Sequence, residues 1–381
     1  MKLNNILTAL FLLLFSGPAL VAQNAQLESK IRKWVQEKKL HGVSVMIKQH
    51  DSVIFEQQFG QADIEQHKSL TADSRFRIFS MTKPVISLAT LKCLHDNKLS
   101  LNTRLDQIFT DFESDEPITI RQILTHTAGF SYGGEFSWQG FQYWLYDPLE
   151  KSEDLNEFME RLSGLSLGFD PGTAWEYSIS HDVLGAVIEK VSGLRLEDYM
   201  RREIFNPLGM MNTGFIHKGE SINNLVKFYR YDKEADKAAL LEDQYAYDKV
   251  ITSGGGGLYS TANDYMKFLD VLLFPERYAD LLPEEVIRQL SKNQLAASIG
   301  SIPESIYPDS GFGFGVGVQL TAGEYLPKDS FYWAGMGGTM FWVDPKNELQ
   351  VVAMTQSLGH RRFMESYFIP LVYESLWLVG E

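Results

Sequence analysis

The segment most informative about the architecture is residues 75–94, which read RFRIFSMTKPVISLATLKCL. Its first five residues alternate as in a short strand, and residues 84–94 have the composition of a buried helix. Pro84 is compatible with a first helical turn, where amide protons lack partners anyway. Ser80 is therefore predicted at a helix N-terminus, with Lys83 three residues later on the same face. An amine in that position predicts a serine that is activated without histidine.

The N-terminal residues have the pattern of a secretory signal peptide, predicted to span residues 1–22. Lys2 supplies a positive charge, Ile6 to Phe15 is an apolar run, and small residues follow up to Ala22. The apolar run is too short to span a bilayer comfortably, although an uncleaved anchor is the alternative interpretation. We expect cleavage after Ala22 and a mature chain of residues 23–381, periplasmic or secreted, without a stable membrane span.

Composition argues against several classes of function. Cys93 is the only cysteine, which excludes an internal disulfide and a cysteine-based metal cluster. The 8 histidines show no metal-binding spacing, so we expect no metal ion and no cofactor. The formal net charge of -14 argues against nucleic-acid binding, which relies on clustered Lys and Arg. Nothing in the composition specifies an oligomeric state.

Strand patterns occur near both ends of the chain. The predicted strands are 42–49, 52–60, 313–320, 330–334, 338–343 and 349–355. Helices are predicted at residues 27–38 and 367–378, and residues 101–310 contain mainly helical stretches and long loops. This arrangement predicts an α/β lobe from about residues 23–100 and 311–381, with a mainly helical lobe between them. A cleft is expected where the two lobes meet.

A tyrosine in the predicted helical lobe is a second candidate for chemistry. A Pro-Gly turn at residues 171–172 leads into a loop that contains Tyr177 and precedes a helix predicted at 183–191. A phenol and an amine have similar reference pKa values of ~10, so Lys83 and Tyr177 could share a proton and exchange it with Ser80. A packed tyrosine with a satisfied hydroxyl is the alternative interpretation.

Residues 332–345, which read YWAGMGGTMFWVDP, combine strand residues with small ones. Small residues let a ligand approach the backbone. An amide proton exposed there, paired with the amide proton of Ser80, would form an oxyanion hole. Glycines in a strand also mark bulges or bends, and the sequence alone leaves both interpretations open.

Together these segments resemble the serine β-lactamase and penicillin-binding-protein superfamily, in particular its class C-like branch of carboxylesterases and transesterases. The resemblance covers nearly all of the mature chain. It includes three further motifs: LTHTAG at 124–129, PLGM at 207–210 and SGGGGLYST at 253–261. The resemblance implies an α+β fold of the β-lactamase/transpeptidase type, in which helices flank an antiparallel sheet and a helical domain is inserted.

The same resemblance implies roles for individual residues. Ser80 is the expected nucleophile, Lys83 its basic partner and Tyr177 a proton shuttle. The backbone amides of Ser80 and Met336 are the expected oxyanion hole. His126 lies in one of the matching motifs, and we expect it to be structural because the mechanism already has its base.

Two departures from the family pattern concern the substrate. Lactamase and peptidase members have Tyr-x-Asn, whereas here Ile179 stands two residues after Tyr177. They also carry Lys-Thr-Gly or His-Thr-Gly on the oxyanion strand, where this chain has Trp333-Ala334-Gly335, similar to the Trp-Gly-Gly of the esterase branch. Loss of the amide and of the cation should weaken recognition of an anionic amide substrate. These four positions, Ile179 and 333–335, are the candidate substrate-binding residues.

We therefore expect an exported serine hydrolase that forms a covalent acyl-enzyme, with a carboxylesterase acting on small or aryl esters as the first choice. One alternative is a β-lactamase or D-alanyl-D-alanine peptidase acting on a cell-wall-like substrate. Another is a catalytically silent binding protein of the same fold. The aromatic residues between Gly133 and Tyr146 are expected mostly to pack in the core, with one or two facing substrate.

Overall fold

The computed structural model describes residues 24–37, 40–133, 137–216, 222–232, 237–241 and 251–376. The predicted signal peptide lies outside the described residues. Within these ranges, none of the helices has both the length and the apolar character needed to cross a bilayer.

An antiparallel sheet forms the centre of the described structure. Its strands are β1 Gly42–Gln49, β2 Ser52–Asp63, β3 Lys68–Ser69, β9 Ser310–Phe312, β10 Gly317–Gln319, β11 Phe331–Ala334, β12 Met340–Asp344 and β13 Leu349–Met354. They lie in the order β3-β2-β1-β13-β12-β11-β10-β9, so strands from both ends of the chain are adjacent. β1 and β13 join the two sets, with Ser44 opposite Met354.

Two small sheets complete the strands of the described region. One has the order β4-β8-β5 and the other β14-β6-β7. Their bounds are β4 Phe76–Arg77, β5 Gly214–Phe215, β6 Tyr229–Asp232, β7 Lys237–Leu240, β8 Leu258–Ser260 and β14 Ser357–Leu358. The strand predicted at residues 75–79 is therefore shorter than expected, because the chain turns into a helix after Ile78.

The helices lie mostly between the two sets of sheet strands. They are α1 24–36, α2 Thr82–Asp96, α3 Leu105–Ile108, α4 Ile120–Leu124, α5 Trp138–Tyr146, α6 Pro148–Lys151, α7 Leu155–Leu162, α8 Ser180–Ser192, α9 Leu196–Met200, α10 Asn206–Leu208, α11 Ala262–Leu273, α12 Glu284–Ile287, α13 Arg361–Phe363 and α14 Ile369–Leu376. Their ends follow local chemistry. The Thr261 side chain caps α11 by accepting a hydrogen bond from the Asp264 amide, and α8 ends at Gly193, whose φ is 72°.

The central strands of the sheet are buried on both faces. Successive side chains of a strand point to opposite faces, so each face packs against its own cluster. On one face, Val43, Val45 and Ile47 of β1 pack in a cluster with residues of α1 and α14. On the other face, Phe341 and Val352 pack in the larger cluster that contains α2, α8 and α11. The expected α+β architecture, an antiparallel sheet flanked by helices, is confirmed.

One predicted strand is partly wrong. Residues 313–320 were expected to form a single strand. Instead, residues 313–316 form the turn of the hairpin between β9 and β10, and β10 follows at Gly317–Gln319. The Gly313 amide donates a hydrogen bond to the Val316 carbonyl at 2.8 Å, and Gly315 has a φ of 81°. Glycine adopts this backbone conformation without steric cost, so the glycines of this segment mark the turn.

Candidate active site

Ser80 lies in a tight turn between strand β4 and helix α2. The turn covers Phe79–Met81, and the Met81 carbonyl accepts a hydrogen bond from the Tyr265 hydroxyl at 2.9 Å. Phe79 has a left-handed backbone with a φ of 47°. For a bulky residue this conformation costs on the order of 1 to 3 kcal/mol and is maintained only by the surrounding packing. The turn places Ser80 on the wall of a cleft.

Lys83 is fully buried in the first turn of α2. Its Nζ lies 2.7 Å from the Gly255 carbonyl oxygen, 3.1 Å from the Tyr132 hydroxyl and 3.4 Å from Ser80 Oγ. A buried amine requires such polar partners, because it has lost its hydration. The structure thus brings Ser80 and Lys83 together as their spacing in the sequence indicates.

Two tyrosines, Tyr132 and Tyr177, line the cleft beside Lys83. The hydroxyl that lies within hydrogen-bond distance of Lys83 Nζ belongs to Tyr132, a residue that the sequence did not point to. Tyr177 presents its ring to the amine, with Nζ 4.5 Å from the ring centre. The Tyr177 hydroxyl accepts a hydrogen bond from Trp333 Nε1 at 3.4 Å. The one sequence signal that could have identified Tyr132 is its place three residues after the LTHTAG motif.

The second predicted oxyanion amide, that of Met336, follows the end of strand β11. The Gly335 amide donates a hydrogen bond to the Thr339 carbonyl at 2.8 Å, which closes a tight turn around Met336. A Cβ atom on Gly335 would lie 2.3 Å from the Ile78 carbonyl oxygen, so only glycine allows this approach. Met336 lines the same cleft as Ser80. The glycines therefore mark a bend, and that bend places the Met336 segment at the cleft.

The four candidate substrate-binding residues have different positions. Trp333 and Ala334 line the cleft, whereas Gly335 and Ile179 are not among its lining residues in the described structure. Ile179 is 2% exposed and packs in the core cluster of the helical region. Ile179 itself is therefore not placed to contact a substrate. What this position changes is the absence of the amide side chain found there in lactamases and peptidases.

The cleft has a volume of about 800 Å³ and walls that are mainly apolar. It is lined by Phe79, Ser80, Tyr132, Leu149, Tyr177, Asp182, Ser253, Gly255, Gly256, Ile306, Trp333, Ala334, Met336, Leu358, Gly359, Arg361 and Arg362. Three charged residues of this set, Asp182, Arg361 and Arg362, were not singled out from the sequence. Arg361 is paired with Glu365 at 3.6 Å.

The aromatic segment between Gly133 and Tyr146 does not pack as expected. Residues 138–146 form α5, and four aromatic residues of this helix are largely exposed: Trp138, Phe141, Trp144 and Tyr146. Tyr143 is the buried aromatic residue of this helix. None of the described aromatic side chains of α5 lines the cleft. The expectation of core packing was wrong because these residues lie on the outer face of a short helix, from which only one points inward.

Buried His126 packs against the ring of Tyr177 with 4.8 Å between ring centres, and buried His181 packs against His126 at 4.9 Å. His126 Nδ1 accepts a hydrogen bond from the Ser178 amide at 3.2 Å, and its carbonyl oxygen accepts one from the Glu176 amide at 3.0 Å. Burial holds the pKa of both His126 and His181 well below the usual value of 6.5, with a further contribution from nearby Lys83. His126 is therefore neutral, and its contacts hold the residues on both sides of Tyr177.

Cys93 offers no further chemistry at this site. Cys93 is buried, and burial raises the pKa of its thiol to about 11. Among the described residues, no group of three or more histidine, cysteine, aspartate or glutamate side chains could hold a metal ion.

A family model described as Beta-lactamase matches residues 27–373. The chain belongs to this family. The match covers all the strands of the central sheet and the segments that contribute Ser80, Lys83 and Tyr177 to the cleft. Membership in the β-lactamase family makes the protein a serine hydrolase by descent, and it agrees with the resemblance carried by the sequence motifs.

Two relatives of this β-lactamase family member are named as esterases. Esterase EstB of Burkholderia gladioli is 27% identical over 87% of this chain and 90% of its own length. A lovastatin esterase of Penicillium rubens is 26% identical over 75% of this chain and 80% of its own length. The solved structure of EstCE1, described as a hydrolase with promiscuous acyltransferase activity, has a TM-score of 0.81 and 26% identity. It covers 95% of this chain and 100% of that one.

Proposed function

We propose that the protein is a carboxylesterase that acts on small or aryl esters through a covalent acyl-enzyme on Ser80. The observation that carries the proposal is the 3.4 Å separation of Ser80 Oγ and Lys83 Nζ at the wall of a mainly apolar cleft. A neutral amine at this distance can take the serine proton as the oxygen attacks. The esterase names of two relatives support the same choice.

The proposed reaction has two halves. Ser80 Oγ forms a bond to the ester carbonyl carbon while its proton passes to Lys83 Nζ. The bond to the leaving alcohol then breaks, and that alcohol takes a proton returned through Lys83 and the adjacent tyrosines. Water, or another alcohol, repeats the steps in reverse order to release the acyl group. In each half, the negative carbonyl oxygen is stabilised by the backbone amides proposed for the oxyanion hole, those of Ser80 and Met336.

The lining of the cleft supports neutral esters as substrates. Trp333 and Ala334 occupy the part of the oxyanion strand where lactamases and peptidases carry a cation. A site that lacks one charge-assisted hydrogen bond binds its partner more weakly by about 1.5 to 3 kcal/mol. Apolar walls contributed by Leu149, Ile306 and Leu358 instead favour an acyl or aryl group.

One observation favours the rival function. Arg361 and Arg362 line the cleft, and a guanidinium is a good partner for the carboxylate of a β-lactam or a cell-wall peptide. The charge of Arg361 is partly offset by Glu365. Arg362 is exposed, where water and salt weaken its attraction. A β-lactamase or D-alanyl-D-alanine peptidase is therefore the second candidate.

The test combines labelling with relative activity. A fluorophosphonate probe should label the protein once, at Ser80, and Ser80→Ala should abolish that label. On the same preparation, kcat/KM for p-nitrophenyl acetate and butyrate should exceed the values for nitrocefin and a D-alanyl-D-alanine peptide. Better turnover of nitrocefin or the peptide would establish the rival function. Undiminished labelling of Ser80→Ala would show that the nucleophile is another residue.

Export remains part of the proposal, and its support is the sequence pattern of Lys2 and the apolar run Ile6 to Phe15. Protein recovered from an exporting bacterial host should begin near Gln23 by N-terminal sequencing. An intact Met1 terminus in the cytoplasmic fraction would argue that the segment is not processed.

A further inference from the structure

Asp182 is a buried acidic residue on the wall of the cleft that the proposed reaction does not use. It lies in the first turn of α8, is 1% exposed and lines the cleft. Its Oδ1 accepts hydrogen bonds from Ser253 Oγ at 2.6 Å and from the Gly255 amide at 3.0 Å. Its Oδ2 is buried without a hydrogen-bond partner in the described structure. A buried carboxylate that is only half satisfied requires a compensating interaction.

Gly255 connects this carboxylate to the candidate base. Its amide donates to Asp182 Oδ1, and its carbonyl oxygen accepts the 2.7 Å hydrogen bond from Lys83 Nζ. A Cβ atom on Gly255 would lie 2.4 Å from Asp182 Oδ2, so the contact requires glycine. At the preceding position, a Cβ on Gly254 would lie 2.2 Å from the His181 carbonyl oxygen. The glycine run thus packs directly on the start of α8.

The other groups around Lys83 do not supply a negative charge. Tyr132 and Tyr177 present a hydroxyl and a ring, and Ser80 presents a hydroxyl. His126 and His181 are buried and neutral, as their lowered pKa values show. Arg361 and Arg362 are cationic. Among the described residues that line the cleft, Asp182 is the only one with a carboxyl group.

We propose that Asp182 is a positioning residue for Lys83, holding it through Gly255 and supplying the counter-charge of its ammonium form. The proposal rests on the role of Lys83 as the base that takes the Ser80 proton. The ammonium exists during the attack, and a nearby negative charge stabilises it in a site with little water. Because Gly255 stands between the two groups, the amine is not locked in a direct ion pair and can lose its proton before the next attack.

Two variants separate the charge of Asp182 from its position. Asp182→Asn keeps an oxygen that can accept from Ser253 and Gly255 but removes the negative charge. Asp182→Ala removes both. The measurement is the rate of fluorophosphonate labelling of the full-length purified protein as a function of pH. In this reaction a bond forms between Ser80 Oγ and phosphorus, fluoride leaves, and the serine proton passes to Lys83.

We expect the acid limb of the rate profile of Asp182→Asn to move to lower pH by about one unit, because the ammonium form of Lys83 has lost its counter-charge. Its maximal rate should stay within about threefold of the unchanged protein. The maximal rate of Asp182→Ala should fall at least about tenfold, because the Gly255 carbonyl is no longer held. An unmoved acid limb in Asp182→Asn, or an unchanged maximum in Asp182→Ala, would overturn the proposal.

Asp264→Asn is the matched control. Asp264 is also 1% exposed, lies in the first turn of α11 and accepts a hydrogen bond from the Asn212 amide at 2.6 Å, but it does not line the cleft. This variant should lower the melting temperature without moving the acid limb. If the unchanged protein takes no label at any pH, the proposed function fails instead, and that outcome is distinct from labelling with an unmoved limb.

Discussion

The Tyr132 hydroxyl lies 3.1 Å from the Lys83 amine, whereas the Tyr177 hydroxyl accepts a hydrogen bond from Trp333 Nε1 at 3.4 Å. The two phenols therefore have different environments. Tyr132 holds the amine in place. The Tyr177 oxygen accepts a hydrogen bond from the indole N–H of Trp333. The assignment of Tyr177 as the proton shuttle therefore stays a prediction, which the variants below test.

Replacing each tyrosine should separate these roles. Tyr177→Phe should lower kcat for p-nitrophenyl butyrate by on the order of a hundredfold, because a proton carrier is removed. Tyr132→Phe should lower kcat by about tenfold or less, which corresponds to the loss of one hydrogen bond to the amine. Tyr325→Phe is the control, since Tyr325 is bonded to Glu374 and does not line the cleft. If kcat falls more in Tyr132→Phe than in Tyr177→Phe, Tyr132 is the proton carrier and Tyr177 is not.

The indole of Trp333 should contribute to turnover through its N–H. Trp333→Phe keeps an aromatic ring beside Phe312 and Tyr307 but removes the donor to Tyr177. We expect kcat to fall about tenfold, with KM changed by no more than about twofold. Trp175→Phe is the matched control, because the Trp175 ring also stacks on Tyr177, while its buried Nε1 has no hydrogen-bond partner in the described structure. Equal losses in both variants would show that ring packing, rather than the N–H, supports Tyr177.

Gly335 should be required for oxyanion stabilisation. In Gly335→Ala the new methyl group would meet the Ile78 carbonyl oxygen at 2.3 Å, which forces the turn around Met336 away from the segment before Ser80. Removing one oxyanion donor costs about a hundredfold to a thousandfold in kcat, so we expect a loss of about a hundredfold. Gly323→Ala, where the nearest atom would be 3.4 Å away, should keep normal kinetics. Near-normal kcat in Gly335→Ala would remove the Met336 amide from the mechanism.

Stability should fall as the pH is lowered below neutrality. Burial lowers the pKa of His41 from 6.5 to about 3, with a contribution from His360. The folded protein therefore keeps this ring neutral, whereas the unfolded chain protonates it below about pH 6.5. The stability it contributes is fully present above that pH and is lost as the pH falls towards 3. The slope for one such group is about 1.4 kcal/mol per pH unit.

The test compares the free energy of unfolding, from urea titrations between pH 4 and 7, across three proteins. In His41→Gln the free energy of unfolding should decline less steeply as the pH falls. The slope should be smaller by the contribution of one protonating group, about 1.4 kcal/mol per pH unit. His67→Asn, at an exposed position with a φ of 52° that asparagine tolerates, should show the same decline as the unchanged chain. Burial raises the pKa of Glu365, so this group makes the folded protein more stable as the pH falls, opposite to His41. The quantity that tests the prediction is therefore the difference in slope between the variants and the unchanged chain. An identical slope in His41→Gln would contradict the prediction.

The sequence predicted the parts of the site that depend on local geometry. Ser80 and Lys83 lie one helical turn apart, so their proximity follows from the helix alone. The buried strands β1 and β13 were evident because apolar runs bounded by turn residues report burial directly. The glycines near Met336 were ambiguous, since both a bend and an open backbone require small residues, and the structure contains a bend that brings that segment to the cleft.

The contacts that the sequence did not predict are tertiary. Tyr132 reaches Lys83 from 49 positions further along the chain, and Gly255 reaches it from 172 positions away. No periodicity links such residues. The sequence contains one local indication of Asp182, because it directly precedes the apolar run at residues 183–188. The expectation of core packing was wrong for α5, whose aromatic face is exposed. Composition shows how apolar a segment is, but it does not show which neighbours the segment has.

The pairing of β1 with β13 has a consequence for synthesis of the chain. Ser44 of β1 pairs with Met354 of β13, which leaves the ribosome some 310 residues later. Strand β1 therefore has no partner on that side during nearly all of translation. An unpaired strand edge recruits other chains, and such distant pairings form slowly. We expect chains truncated before residue 349 to aggregate and to lack every activity of the cleft, so that premature termination gives no partly active product.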